Sequence, residues 1–234
     1  MSKASTAIPK FGTGLLAVFC DLALEYLDEF RPWLMQEMFP PRMAIGFGPA
    51  ASFDLAPELI VDPPAGAATP QAHVTIYVTP TIGDLYGAPY QNLRAERGPR
   101  DAAYHNERMQ NQARYVAALT GPGIESDEKN FAPVLLIDRF DVAPDKIQTF
   151  NIWFETAYVP ACAQVLGVAR LSRYLTMEGN SRHLLVHEIE GAQVLEDQTF
   201  GALRRAGEWD LCTFAPGAPG VYRKVAEAEA ASRG

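Results

Sequence analysis

What this chain has little of narrows the field first. Among 234 residues there are only three cysteines, Cys20, Cys162 and Cys212, far apart and without a CxxC pair. An odd, dispersed set suits neither a disulfide framework nor a structural zinc site, so the three read as small core residues in a reducing, cytoplasmic setting. Positive charge is scarce: 20 Lys and Arg stand against 28 Asp and Glu, for a net charge of −8. With no basic run, the chain lacks the footprint of a nucleic-acid or anionic-membrane partner. No window reaches the ~18 apolar residues of a membrane span. The opening MSKASTAIPKFGTGLLAVFC has too short an apolar part for a signal peptide. Also missing are a GxGxxG after a strand, a P-loop, a GxSxG elbow and paired metal-ligand spacing. Nucleotide cofactors, phosphoryl transfer, serine hydrolysis and a metal centre are disfavoured accordingly.

What is present is a repeat. FRPWLMQEMFP (30–40) and FNIWFETAYVP (150–160) share Phe, Trp and Pro at the same places. At that offset residues 14–42 lie on 134–162 without a gap, with Leu15/Leu135, Leu16/Leu136, Asp21/Asp141, Ala23/Ala143, Phe30/Phe150, Trp33/Trp153 and Pro40/Pro160 identical. Further on, HVTIYV (73–78) meets HLLVHE (183–188) and YQNLR (90–94) meets FGALR (200–204). The length difference falls in DPPAGAATPQ (62–71), a Pro/Ala/Gly stretch that reads as a loop insertion.

Each copy reads in the same order. A β-rich run (LLAVFCDL; VLLIDRFDV) precedes a helix with apolar residues at i, i+3 and i+7, namely Leu27, Phe30, Leu34 and Ile147, Phe150, Phe154. Pro40 and Pro160 are expected to end both helices. A β-hairpin, a short helix and a last strand follow, RYVAAL in the first copy and DLCTFA in the second. The order βαββαβ, twice, predicts an α+β protein of two tandem ferredoxin-like units whose antiparallel sheets pack together into an α/β barrel. The boundaries are 1–128, with the loop insertion 62–71 and a helical insertion 98–112, and 129–234, with a C-terminal tail. Each sheet alone would leave one apolar face bare, and two units in one chain cover each other.

Three features carry a family likeness: the strand followed by a helix with FxxW, the G-x-x-x-x-x-x-Y strand GVARLSRY and the strand HLLVHEIE. On these the chain resembles the dimeric α/β-barrel superfamily in tandem form. EthD-like proteins, small antibiotic-type monooxygenases, aromatic cyclases, muconolactone isomerases and chlorite-dismutase-like haem proteins share that architecture. The resemblance implies a pocket for a small hydrophobic, often aromatic, molecule. The His that ends the EthD-like helix is absent; Tyr158 and Met38 stand in its place.

The candidate site residues come mostly from strands. In an extended strand alternate residues share a face, so His73, Thr75 and Tyr77 lie together, as do His183 and His187. A half-polar face on a central strand calls for a cavity or for partners. His183 and His187 span about 13 Å on a strand, too far for one metal. His187 is unique to the second copy and is the expected general acid or base, with His183 and Asp138 orienting or pairing with it. Tyr77 and Arg139 are expected to hold a phenolate or carboxylate, with His73, Trp153 and Tyr174 as further pocket residues. The insertion GPRDAAYHNERMQNQ (98–112) has no counterpart and brings His105. These readings point to a cofactor-independent lyase, isomerase or cyclase acting on a small aromatic or polyketide-like molecule. The alternatives are a haem-dependent or oxygen-using relative, with a His as axial ligand, and a non-catalytic ligand-binding module. Whether two chains pair as a homodimer is left open.

Overall fold

The computed structural model describes residues 12–59, 61 and 68–228. The loop insertion expected at 62–71 therefore lies largely outside the described residues.

The first unit runs β1 (Gly14–Leu22), α1 (Leu24–Trp33), α2 (Phe39–Ala44), β2 (Ala50–Leu55), β3 (His73–Thr79), α3 (Ala88–Ala95), α4 (Pro99–Ala103) and β4 (Met109–Leu119). The second runs β5 (Val134–Val142), α5 (Ile147–Trp153), α6 (Val159–Cys162), β6 (Val168–Glu178), β7 (His183–Ile189), α7 (Gln198–Arg205), β8 (Cys212–Phe214) and β9 (Gly220–Ala228). Strand order is β4-β1-β3-β2 in one unit and β9-β5-β7-β6 in the other. The edges join, β4 to β6 and β2 to β9, so eight antiparallel strands close a barrel. Closure leaves the ring no free edge, and one interior replaces two bare sheet faces. The two central strand pairs, β1/β3 and β5/β7, have the same register: Leu16 pairs with Tyr77 as Leu136 pairs with His187.

Inside the barrel sit Phe19, Phe53, Tyr115, Leu135, Ile137, Tyr174 and Tyr222, all almost fully buried. Such aromatics each contribute roughly 1.5–3 kcal/mol on burial. The helices cover the outer faces of β1/β3 and β5/β7, forming two further apolar layers. Helix-side and barrel-side residues alternate along every strand, so adjacent residues such as Asp138 and Arg139 point to opposite faces.

Two sequence expectations are corrected. Pro40 and Pro160 do not end their helices. Each follows a wide π-turn, Leu34–Met38 or Phe154–Tyr158, closed by Phe39 N–H to Leu34 O and by Val159 N–H to Phe154 O. The extra residue in the turn makes room for a proline that has no N–H to donate, and the helix resumes. The strand that closes the second unit is β9, GVYRKVAEA, in the stretch assigned to a tail. CTF forms only a short strand beside β5.

Candidate functional site

The structure distributes the sequence-predicted residues among three places. Arg139 and Tyr174 face the barrel interior. Arg139 lies with its guanidinium carbon 4.4 Å from the Phe19 ring centroid and donates to Gln71 Oε1 (2.9 Å), Pro216 O (3.0 Å) and Gly217 O (2.7 Å). All three bonds come from Nη2 and leave Nη1 without a partner, and the opposite-face geometry separates Arg139 from His187.

The second place is the helix side of the second unit, which gathers His187, Asp138, His183 and Trp153. Asp138 is fully buried and accepts two hydrogen bonds from Arg204 on α7, at 2.7 and 2.5 Å. His187 Nδ1 lies 3.7 Å from Asp138 Oδ2, and its Nε2 is 2.9 Å from the Tyr158 hydroxyl. Burial pushes the His187 imidazole down to about 4, against the pull of Asp138 and with help from the Arg204 charge. Burial likewise raises Tyr158 well above its ordinary range and Cys162 to about 11. His183, also lowered to about 4 by burial, packs 5.3 Å from the Phe140 ring, with both ring nitrogens unpartnered. Trp153 packs edge-on against Trp209 at 5.5 Å. The cluster is dense: His187 and Asp138 expose nothing. Arg204 and Tyr158 are the members that sequence reasoning did not select, although an Asp in the apolar run VLLIDRF signals the need for a cation.

The third place is the equivalent helix side of the first unit, and here a cavity of about 190 Å³ opens. Apolar or smaller groups take the positions of the polar cluster: Val18 for Asp138 and Met38 for Tyr158, while Tyr77 replaces His187. Arg94, the counterpart of Arg204, turns away to Gln91 and the Tyr90 ring. Trp33, Tyr77 and Tyr90 are wall residues of the cavity. Trp33 is fully buried and stacks on Tyr104 at 4.2 Å, so the 98–112 insertion packs directly against it. The insertion folds as α4, a π-turn over Tyr104–Arg108 and the start of β4, and delivers His105, Asn106 and Gln112 to the cavity. His105 Nε2 lies 3.2 Å from Asp101 Oδ1, one turn back. Burial opposes the charge on Asp101, yet His105, with Arg97 and Arg42, outweighs it and holds the carboxyl below its usual range. Burial lifts Tyr77 to about 12, Arg42 notwithstanding, so the phenol stays protonated near neutrality.

His73 lies at the margin, its Nδ1 2.8 Å from Asp54 Oδ1. A second hollow, about 280 Å³, is lined by Leu55, Pro57, Pro219 and other groups without titratable side chains. Among the described residues no three His, Cys, Asp or Glu side chains cluster as metal ligands, and no helix is long and apolar enough to cross a membrane.

No protein-family model matches the sequence, and no curated protein does. Solved structures do match in shape. A mutant chlorite dismutase from Candidatus Nitrospira defluvii, in complex with cyanide, is 13% identical over 92% of this chain and 91% of its own, with a TM-score of 0.59. An anthrone oxidase-like protein is 13% identical over 96% and 95%, with a TM-score of 0.56. At such identities the likeness is one of fold. The strand order, the closed barrel and these neighbours together give the chain the fold of the dimeric α/β-barrel superfamily, with both halves in one polypeptide.

Proposed function

We propose that the protein is an enzyme acting on a small aromatic molecule by proton transfer, in the cavity of the first unit. The observation that carries this is the His105–Asp101 pair at a cavity walled by Trp33, Tyr77 and Tyr90. An imidazole with a carboxylate beside it can take a proton from an activated C–H or O–H and return it to another atom. The aromatic walls hold the ring flat, and the insertion excludes water from one side. His187, sealed behind Tyr158 and pushed down to about 4, is in this reading a structural group of the second unit.

The reading takes no porphyrin. A cavity of about 190 Å³ is below even the ~300–1,000 Å³ of drug-sized ligands. Of the four histidines, only His105 is among the residues that line this cavity.

A variant of the chemistry is favoured by one structural neighbour, which is anthrone oxidase-like. Deprotonation of a ring methylene followed by reaction with dioxygen gives a carbonyl, one oxygen atom entering the product and the other leaving as water. Both versions begin with the same proton abstraction.

The test is solvent deuterium exchange into a panel of small phenols and cyclic ketones, followed by NMR, with oxygen uptake recorded in parallel. His105→Asn is expected to slow exchange by about 10²- to 10⁴-fold, the usual range for general acid–base groups. His187→Phe is expected to leave it within a few-fold of wild type. The opposite pattern, loss with His187→Phe and retention with His105→Asn, moves the chemistry to the second unit.

A further inference from the structure

The chain as a whole is acidic, with a net charge of −8. Its first-unit cavity is the reverse. Arg42, Arg97, Arg114 and His105 line it, and no Asp or Glu does. Three of these four groups have carboxylate neighbours: Arg114 pairs with Glu178, Arg97 Nε lies 3.9 Å from Asp101 and His105 Nε2 lies 3.2 Å from the same Asp101. Arg42 is different. It is buried, 6% exposed, and its Nη1 donates to the Met38 carbonyl oxygen at 2.8 Å. Its Nε has no hydrogen-bond partner, and the carboxylate that feels its charge, Asp101, lies beyond ion-pair distance and is shared with His105 and Arg97. The faces of Tyr77 and Tyr90 lie 5.3 and 5.9 Å from the guanidinium and offer only weak compensation.

A guanidinium taken out of water without a hydrogen-bonded counter-ion of its own is costly and is retained where something completes it. The planar fork of Arg suits a carboxylate, and the tyrosine faces beside it suit an aromatic ring. In the second unit Cys162 stands at the position of Arg42, and Asp138 and His187 expose nothing.

We propose that the first-unit cavity binds a planar, single-ring aromatic carboxylate, with the carboxylate on Arg42 and the ring against Tyr77, Tyr90 and Trp33. The inference rests on the cavity being the functional site and adds that its ligand arrives as an anion. The cavity volume limits that ligand to about one ring, and Arg42 sets the end at which it docks. His105, delivered from the insertion, then meets the ring rather than the carboxylate.

The experiment uses the full chain and two probes of the same shape, benzoate and benzamide. Binding is followed by calorimetry and by the ¹⁵N–¹H indole signals of the tryptophans, with Trp33 assigned through Trp33→Phe. The expected result is that benzoate shifts the Trp33 signal and binds about tenfold or more tightly than benzamide, the effect of one charge-assisted pair. Arg42→Gln is expected to abolish the difference between probes and Arg42→Lys to keep part of it. Should Arg42→Gln fold poorly, the wild-type comparison of the two probes still decides. Equal binding of both probes with a Trp33 shift overturns the anion inference and leaves the cavity as the site. Absence of any Trp33 shift with either probe counts against the anion inference and the cavity reading together.

Discussion

Removing the Arg204 side chain tests the assignment of the second-unit cluster to structure. Asp138 exposes nothing, and Arg204 answers it with two hydrogen bonds of 2.7 and 2.5 Å from a guanidinium whose carbon lies 4.9 Å from the Trp209 ring centroid. The nearest other cationisable group, His187 Nδ1, stands 3.7 Å away and is held neutral by its own burial. In Arg204→Met the apolar stem is kept and the charge is lost, so a buried carboxylate is left without its partner. Breaking one side of such a pair costs about 3–5 kcal/mol. For a chain of this size each kcal/mol lowers Tm by about 2–4 °C, so the expected fall is roughly 6–20 °C. Replacing both partners by apolar groups, Asp138→Val with Arg204→Met, is expected to regain most of that loss, because Val already stands at the matching position, Val18, in the first unit. Thermal circular dichroism and urea titration read both outcomes. The reasoning is refuted if Arg204→Met unfolds within about 1 kcal/mol of wild type, or if the double variant is no more stable than the single one.

Two further predictions use the same region. His187 and His183 are both pushed down to about 4 by burial, whereas an unfolded imidazole titrates near about 6.5. Between these values the unfolded chain binds protons that the native one refuses, so stability is retained above about 6.5 and falls as pH drops toward 4, by up to about 3 kcal/mol per histidine. His187→Gln is expected to flatten that slope by up to one proton in urea titrations at pH 7 and 4.5, and an unchanged slope contradicts the burial. Gly207 has φ +76°, and a Cβ there would come 2.3 Å from Trp153 Nε1. Gly207→Ala therefore should cost about 1–3 kcal/mol through strain and displacement of an indole packed on Trp209, measured by the urea midpoint.

Much of the fold was legible because it is written in local periodicity. Alternation in HVTIYV and HLLVHEI marks a strand with one polar face, and the recurrence of FxxW and Pro marks a duplicated helix. Pro40 and Pro160 misled because a proline removes one donor, while a π-turn closing from Phe39 or Val159 accommodates the loss; that balance depends on how the helix packs, not on the proline. Strand β9 was passed over for a similar reason, since GVYRKVAEA pairs with β2 and β5 from distant parts of the chain. The expectation that differences between copies carry the chemistry applies to Arg42, opposite Cys162, as much as to Asp138, yet Asp138 in an apolar run is conspicuous and Arg42 after two prolines is not.

The sequence by itself determined the duplication, the alternating faces and the residues that could do chemistry, because covalent order and side-chain period are local properties. Only the tertiary structure decided that a cavity opens on the helix side of the first unit while Asp138 and His187 are sealed in the second. A cavity is the volume left over when side chains from several segments fail to meet. Arg204 reaches Asp138 across 66 residues and helps fill one such space. Arg94 turns away from the other, and the walls of Trp33, Tyr77 and Tyr90 remain apart.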